Sequence, residues 1–207
     1  MQMEVRIRKS LRFSFLALLF LVPVSSLRAA PQSDPDQVPR VSLGEIKATP
    51  GSSVMMPFSF TADPENPLQS LSVDIEFVSK SLIFQKTSTG LAAELADVEV
   101  RASIVKEEVD DNDLKHVTLR VTASFPEPVM EGGLPDGLLA YLLFDVSPEA
   151  QPFRIRLTPA TVTAYDLSSP PKTVANVGSK PGLVLIESAD AAFDRMAPPI
   201  ACFFFSH

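Results

Sequence analysis

The chain of 207 residues has very few of the residues that covalent catalysis and metal binding require. It contains one cysteine, Cys202, and two histidines, His116 and His207. One cysteine permits no intramolecular disulfide, and this set provides neither a Cys/His metal cage nor a good candidate for a Ser-His-Asp arrangement. The motifs GxSxG, GxGxxG and GxxxxGKS/T are absent as well. We therefore expect no catalytic site, no metal site and no cofactor.

Tryptophan is absent, and the chain has only two tyrosines, Tyr141 and Tyr165. Flat sugar-binding faces on β-sandwiches use exposed aromatic rings, because a rigid ring covers the CH surface of a sugar at low entropic cost. The 14 phenylalanines fall mostly at strand positions that face inward by alternation. The composition argues against polysaccharide as the main partner, while leaving it open.

The first thirty residues have the pattern of a secretory signal. Four arginine or lysine residues precede an apolar run over residues 13–24, which only Ser14 and Pro23 interrupt. A run of about twelve apolar residues is too short to span a bilayer and is typical of a signal-peptide core. We predict a secretory signal peptide over residues 1–30 and an exported protein, either secreted or held in the periplasm or at the cell surface. An uncleaved N-terminal anchor is the alternative, and it would be the only link to a membrane.

Removal of that segment makes the remaining chain strongly acidic. It takes away five basic residues and one acidic residue, which leaves 13 basic against 24 acidic residues and a formal charge of −11. A surface of this charge repels phosphate backbones, so we expect no nucleic-acid partner.

Three further segments follow the signal. Residues 31–40, with the sequence PQSDPDQVPR, are rich in proline and polar residues and predict a disordered linker. Residues 41–187 predict one folded domain, and residues 188–207 predict a flexible C-terminal tail that ends in ACFFFSH. Phe203–Phe205 are too few to cross a membrane, and the alternative for this tail is a segment that packs on the domain or on a partner.

The domain has the pattern of an all-β protein. In Leu71–Val78, apolar residues alternate with polar ones, which places one set in a core and the other in solvent. Leu138–Val146 is apolar on both faces, as in a central strand that is covered on both sides or lies against a loop, and Gly90–Ala96 predicts a short helix. We predict a nine-stranded two-sheet sandwich with jelly-roll topology. The predicted strands are Val41–Ala48, Ser53–Phe60, Leu71–Val78, Leu82–Lys86, Val98–Lys106, Val117–Ser124, Leu138–Val146, Phe153–Ala164 and Leu183–Glu187.

An acidic stretch lies between two of these strands. It contains five carboxylates and one amide, a set of oxygen ligands that suits calcium: Glu107, Glu108, Asp110, Asp111, Asn112 and Asp113. The glycine and the terminal glutamate of an EF-hand loop are missing. We therefore interpret the stretch as a solvated hairpin turn.

Taken together, residues 41–187 resemble a cohesin domain, the nine-stranded jelly-roll module that binds dockerins. Val41–Phe60 is similar to the opening pair of strands of that family, with a glycine turn before a strand of the form valine-x-x-proline. Leu68–Gln85 is similar to its third and fourth strands. Leu134–Val146, LPDGLLAYLLFDV, resembles its G-x-L-x-x-L-x-F-x-V segment, and Phe153–Ile186 resembles its last two strands.

The resemblance implies a non-catalytic module that presents one flat sheet face to a protein partner, such as a dockerin on another chain. Two departures stand out. The family's Asp-Pro-x-x-Leu turn after the third strand is Val78-Ser79-Lys80-Ser81-Leu82 here, so Leu82 is kept and the Asp-Pro is lost. Serines also occupy two positions where well-studied cohesins have an amide and a carboxylate. The candidate partner-binding residues are Ser70, Ser72, Asp74 and Glu76, with Thr118, Arg120 and Thr122 if their strand shares the sheet.

Other functions remain open at this point. A carbohydrate-binding module of the same superfamily would show an exposed row of aromatic residues or a calcium-bound sugar site. A structural β-sandwich of the cell envelope or of a pilus would share the fold without binding dockerins. An enzyme ranks last, because the chain supplies neither a nucleophile–base pair nor a metal cage.

Overall fold

The computed structural model of the protein describes residues 39–126 and 132–188. The predicted signal peptide, most of the predicted linker and all but the first residue of the predicted tail lie outside these ranges. Within them the chain forms twelve strands and one short helix. In chain order these are β1 (Arg40–Leu43), β2 (Glu45–Ala48), β3 (Ser53–Thr61), β4 (Leu68–Val78), β5 (Leu82–Thr89), α1 (Leu91–Leu95), β6 (Glu99–Val109), β7 (Lys115–Ser124), β8 (Gly137–Val146), β9 (Phe153–Asp166), β10 (Thr173–Val174), β11 (Gly178–Lys180) and β12 (Gly182–Ile186).

The strands form two mixed sheets that pack face to face. The first sheet has the order β11-β1-β3-β8-β5, and the second sheet has the order β2-β12-β9-β4-β7-β6, with β10 paired to β9. Both sheets turn an apolar face inward, and every buried residue of the described chain is hydrophobic. This arrangement confirms the predicted all-β two-sheet sandwich.

Each of the nine predicted strands is present, but the first one is divided. Gly44 separates β1 from β2, and its N–H donates to the carbonyl of Pro57 at 3.1 Å in the first sheet. Its own carbonyl accepts from Leu183 at 3.0 Å in the second sheet. A Cβ at this position would lie 2.4 Å from the Pro57 ring, so the crossing between sheets requires glycine. The short strands β10 and β11 were not predicted.

The alternation predicted for β4 is confirmed. Leu71, Val73, Ile75 and Phe77 are each at most 4% exposed. Residues with a period of two must all face the same side, so these four anchor the second sheet to the core.

Three phenylalanines join the two sheets at the centre. Phe144 of β8 meets Phe77 of β4 edge-on at a centroid separation of 5.5 Å, and Phe84 of β5 at 5.6 Å. Such edge-to-face pairs add to the free energy gained by burying the rings.

The helix α1, which the sequence placed over Gly90–Ala96, packs against the start of β8. The N–H of Gly90 donates to the carbonyl of Leu139 at 2.8 Å. A Cβ on Gly90 would lie 2.4 Å from the carbonyl oxygen of Leu138, so the helix begins in direct contact with the strand. Further along β8, Tyr141 and Leu143 alternate with the buried Leu142 and Phe144 and are half-buried, so the second apolar side of the strand is covered only in part.

The acidic stretch forms a hairpin turn between β6 and β7, as interpreted from the sequence. One Asp110 carboxylate oxygen accepts the backbone N–H groups of Asn112 and Leu114 at 2.9 and 2.8 Å. Asp113 adopts a left-handed conformation with φ of 59°, which aspartate tolerates better than most residues. These hydrogen bonds, chiefly the one from Leu114, lower the pKa of Asp110.

The central ring contact gives a stability prediction. Phe144→Ala removes a ring that is fully buried, so we expect the free energy of unfolding to fall by about 3–5 kcal/mol. Ile83→Ala is the control, because Ile83 lies on β5, the edge strand next to β8, and is 51% exposed. That change should cost less than about 1 kcal/mol. Equal losses in urea denaturation would contradict the packing described above.

Candidate functional site

The seven predicted contact residues lie together on the outer face of the second sheet. β4 and β7 are antiparallel neighbours, which satisfies the condition placed on the three residues of β7. Six of the seven residues form directly opposite pairs, namely Ser72 with Thr122, Asp74 with Arg120, and Glu76 with Thr118, while Ser70 lies opposite Ser124. Residues directly opposite on one face have Cβ atoms about 4.5–5.5 Å apart, so these side chains form one continuous surface.

An ion pair between Asp74 and Arg120 occupies the middle of this face. The guanidinium donates from Nε to Oδ1 and from Nη2 to Oδ2, both at 2.7 Å. The two parallel hydrogen bonds hold the planar groups in one fixed orientation. The Arg120 hydrogen bonds lower the pKa of the Asp74 carboxyl, and the same contact raises the pKa of Arg120. Both groups therefore stay charged at neutral pH, with side-chain exposures of 17% and 48%.

β9 extends the face on the other side of β4 with residues that were not predicted. Thr163 lies opposite Ser72, Thr161 opposite Asp74, and Tyr165 opposite Ser70. The segment TPATVTAYD carries a usable signal, since its threonines and tyrosine alternate with the apolar Val162 and Ala164. The identity of the neighbouring strand was the missing information.

β6 completes the face beyond β7 and forms the edge of the sheet. Charged or polar residues of β6 extend the face: Arg101 lies opposite Thr122, Ser103 opposite Arg120, and Lys106 opposite Thr118. Ile104, Val105 and Val109 of the same strand are exposed as well. The Lys106 ammonium lies 2.8 Å from the Glu108 carboxylate, and this hydrogen bond raises the pKa of Lys106. A bulge between Ile104 and Lys106 and the row of charges protect the open edge against pairing with other strands.

A shallow cleft lies at the end of the face where β4 begins. Its volume is about 440 Å³, and its lining combines a ring that is 38% exposed, Tyr165, with Phe125, Pro171, Gln69, Ser70 and Ser124. The cleft offers an apolar surface next to hydroxyl groups. It therefore suits an apolar side chain of a partner that binds to the outer face of the second sheet, called the hydroxyl-rich face below.

The face as a whole is flat, rich in hydroxyl groups and mixed in charge. Within residues 39–126 and 132–188 no group of three or more His, Cys, Asp or Glu side chains is arranged to hold a metal ion. Among the same residues, no helix has the length and hydropathy needed to cross a bilayer. Hydroxyl groups beside a fixed ion pair can donate and accept hydrogen bonds of defined direction. Such a surface can bind the polar groups of a partner in one orientation.

Solved structures with similar folds are cohesin modules. A cohesin of Clostridium thermocellum, from the type I complex Coh-OlpA-Doc918, has a TM-score of 0.57 at 18% identity, over 72% of this chain and 98% of that one. The sixth cohesin of scaffoldin B from Acetivibrio cellulolyticus, in complex with a Cel5 dockerin mutant, has a TM-score of 0.55 at 19% identity with the same coverage. Another from Clostridium thermocellum, in the complex Coh-OlpC-Doc435, has a TM-score of 0.55 at 20% identity, over 77% of this chain and 98% of that one.

No protein-family model and no curated protein sequence matches the chain. The structural matches establish that the chain has the cohesin fold, as the sequence resemblance implied. At identities of 18–20%, side chains on a surface are free to differ while the core alternation is kept.

The central ion pair gives a prediction for titration. Arg120→Gln removes the charged donor, so the pKa of Asp74 should rise toward the ordinary carboxyl value of about 3.9. A lowered folded-state pKa contributes stability that is present above the ordinary value and is lost as the pH falls through the folded-state value. The variant should therefore lose less stability than the original chain on acidification below about pH 4. Carboxyl-detected NMR titration measures the shift.

Asp63 is the internal control for this titration, because its pKa is lowered by hydrogen bonds from Asn66 and Glu65 in a separate turn. An unchanged Asp74 pKa in the variant, or an equal shift at Asp63, would contradict the role given to Arg120.

Proposed function

We propose that this chain is a non-catalytic binding module whose partner is a protein of the dockerin type. The cohesin fold supports the proposal, and so do the complexes with dockerins in which three similar cohesins were solved. The observation that carries it is the register of β4 and β7, which gathers all seven candidate residues on one exposed face.

The size of the face limits how it binds. Four strands spaced about 4.8 Å apart, each contributing roughly 30 Å of length, give a surface on the order of 600 Å². A standard protein interface buries about 800 Å² on each partner. The flat face is therefore slightly too small by itself, and the Tyr165 cleft at its end is the nearest additional contact surface.

The chemistry of the face favours specificity over raw affinity. Ser70 and Ser72 offer short hydroxyls that donate and accept at close range, and their position beside Thr122 and Thr163 makes a broad strip of hydroxyl groups. The Asp74–Arg120 pair is already satisfied, so a partner gains little by pairing with either charge. We expect a partner surface that is polar and closely fitting, with an apolar side chain that enters the Tyr165 cleft.

The proposed setting is outside the cytoplasm, in polysaccharide breakdown or in the cell envelope. The signal-like pattern of residues 1–30 supports export, and scaffoldin cohesins among the structural neighbours support such a setting. The scarcity of exposed rings on the hydroxyl-rich face favours a protein over a polysaccharide as the partner, since Tyr165 is the one large ring exposed there among the described residues.

One substitution on the binding face and a matched control elsewhere test the assignment of that face. Ser72 lies at its centre, and Ser72→Arg places a long charged side chain between β7 and β9. We expect the affinity for calcium-loaded dockerin modules encoded in the same genome to fall at least about a hundredfold in isothermal titration calorimetry, because the partner can no longer approach.

Met55→Arg is the matched control, since Met55 is 51% exposed on the outer face of the first sheet. It introduces the same side chain on the opposite side of the sandwich and should change the affinity less than about threefold. Equal weakening by both variants would refute the assignment of the face, and absence of any dockerin binding by the original chain would refute the proposed partner.

A further inference from the structure

An apolar cleft opens at the end of the sandwich opposite to the Tyr165 cleft. It lies where the turns β4–β5, β6–β7 and β8–β9 meet, and its volume is about 360 Å³. Val78, Leu114, Pro152, Phe153 and Ile155 supply most of its wall, with Lys80 and Glu149 at its rim. The cleft is separate from the proposed binding face, whose residues point away from the sheet and not along its end.

Phe153 makes this cleft unusual. Its ring is 66% exposed, whereas Ile155, two residues further along the same side of β9, is 4% exposed. A phenylalanine in water forgoes the free energy that burial of its ring would supply. An exposed ring beside an open apolar cleft therefore indicates a surface that another segment covers.

The C-terminal end of β12 lies next to Phe153. β12 runs antiparallel to the start of β9, and Ile186 is the direct partner of Phe153, about 5 Å away between Cα atoms. The described residues end two positions later, at Ser188. Residues 189–207 thus begin next to the exposed ring.

The sequence of that segment fits an apolar cleft. Residues 196–205, MAPPIACFFF, contain no charged side chain, and Phe203–Phe205 are three consecutive rings. Fourteen residues lie between Ser188 and Phe203, a span that reaches up to about 50 Å when extended. The tether is therefore long enough, and it keeps the local concentration of the rings near the cleft high.

We propose that the segment 196–205 docks in the cleft at Phe153 and inserts a ring of Phe203–Phe205 between Leu114 and Ile155. This intramolecular contact covers Phe153 and leaves the hydroxyl-rich face free for its partner. It does not depend on the identity of that partner. A second apolar cleft beside Leu91 and Leu95 of α1 lies at the other end of the sandwich, an 11-residue strand away, so the tether favours the cleft at Phe153.

The single cysteine provides the test. Cys202 immediately precedes the three rings, and Lys80 is exposed at the rim of the cleft. In the full chain carrying Lys80→Cys, mild oxidation should produce an intramolecular disulfide between residues 80 and 202, seen as a monomer of altered mobility on non-reducing gels. Docking should speed the reaction, because it holds the two sulfur atoms near bonding distance, whereas a free tether brings them together only rarely.

Two matched variants of the same chain separate docking from simple tethering. Replacing Phe203, Phe204 and Phe205 by serine keeps the tether and removes the anchors, while Phe153→Ser alters the cleft at an exposed position that the fold does not need. Each should slow disulfide formation at least about tenfold, because burial of one ring is worth that factor or more.

Three results would overturn the proposal. The first is a rate that neither variant changes. The second is a disulfide that forms mainly between two molecules, which would make a second copy the occupant. The third is faster reaction with Asp136→Cys than with Lys80→Cys, which would place the segment in the cleft beside α1, because Asp136 lines that cleft together with Leu91 and Leu95.

Discussion

The register of β4 between β7 and β9 determines which side chains the second sheet presents to solvent. Four residues of β4 point into the core, namely Leu71, Val73, Ile75 and Phe77, so the residues between them must face outward. A slip of one residue would exchange the two sets and expose four large apolar side chains, at a cost of several kcal/mol. The hydroxyl-rich face therefore exists because the core holds β4 in place.

Specificity and stability are separated in this molecule. The described buried residues are all hydrophobic, so packing supplies the stability, with Phe144 at the contact between sheets. The Asp74–Arg120 pair lies on the surface, where such pairs contribute at most about 1 kcal/mol. The pair contributes to specificity rather than to stability. Its two parallel hydrogen bonds fix the direction of both charges within a face of small, adaptable hydroxyls.

Local pattern was sufficient for much of the fold and for part of the face. Strict alternation defined β4 and β7, and their residues proved to be opposite one another once the strands paired. The division at Gly44 was not predictable in this way, because it depends on hydrogen bonds to Pro57 in one sheet and Leu183 in the other. Thr163 was missed for the same reason: its alternation is visible in the sequence, but its place beside Ser72 is a tertiary fact.

The most direct test of the central claim is a chemical-shift map of the amide groups of the chain on addition of a calcium-loaded dockerin module. The account predicts that the changes concentrate on β4, β7 and the adjoining part of β9, and extend to the Tyr165 cleft. Changes concentrated on β3 and β8 of the first sheet, with β4 unaffected, would contradict it.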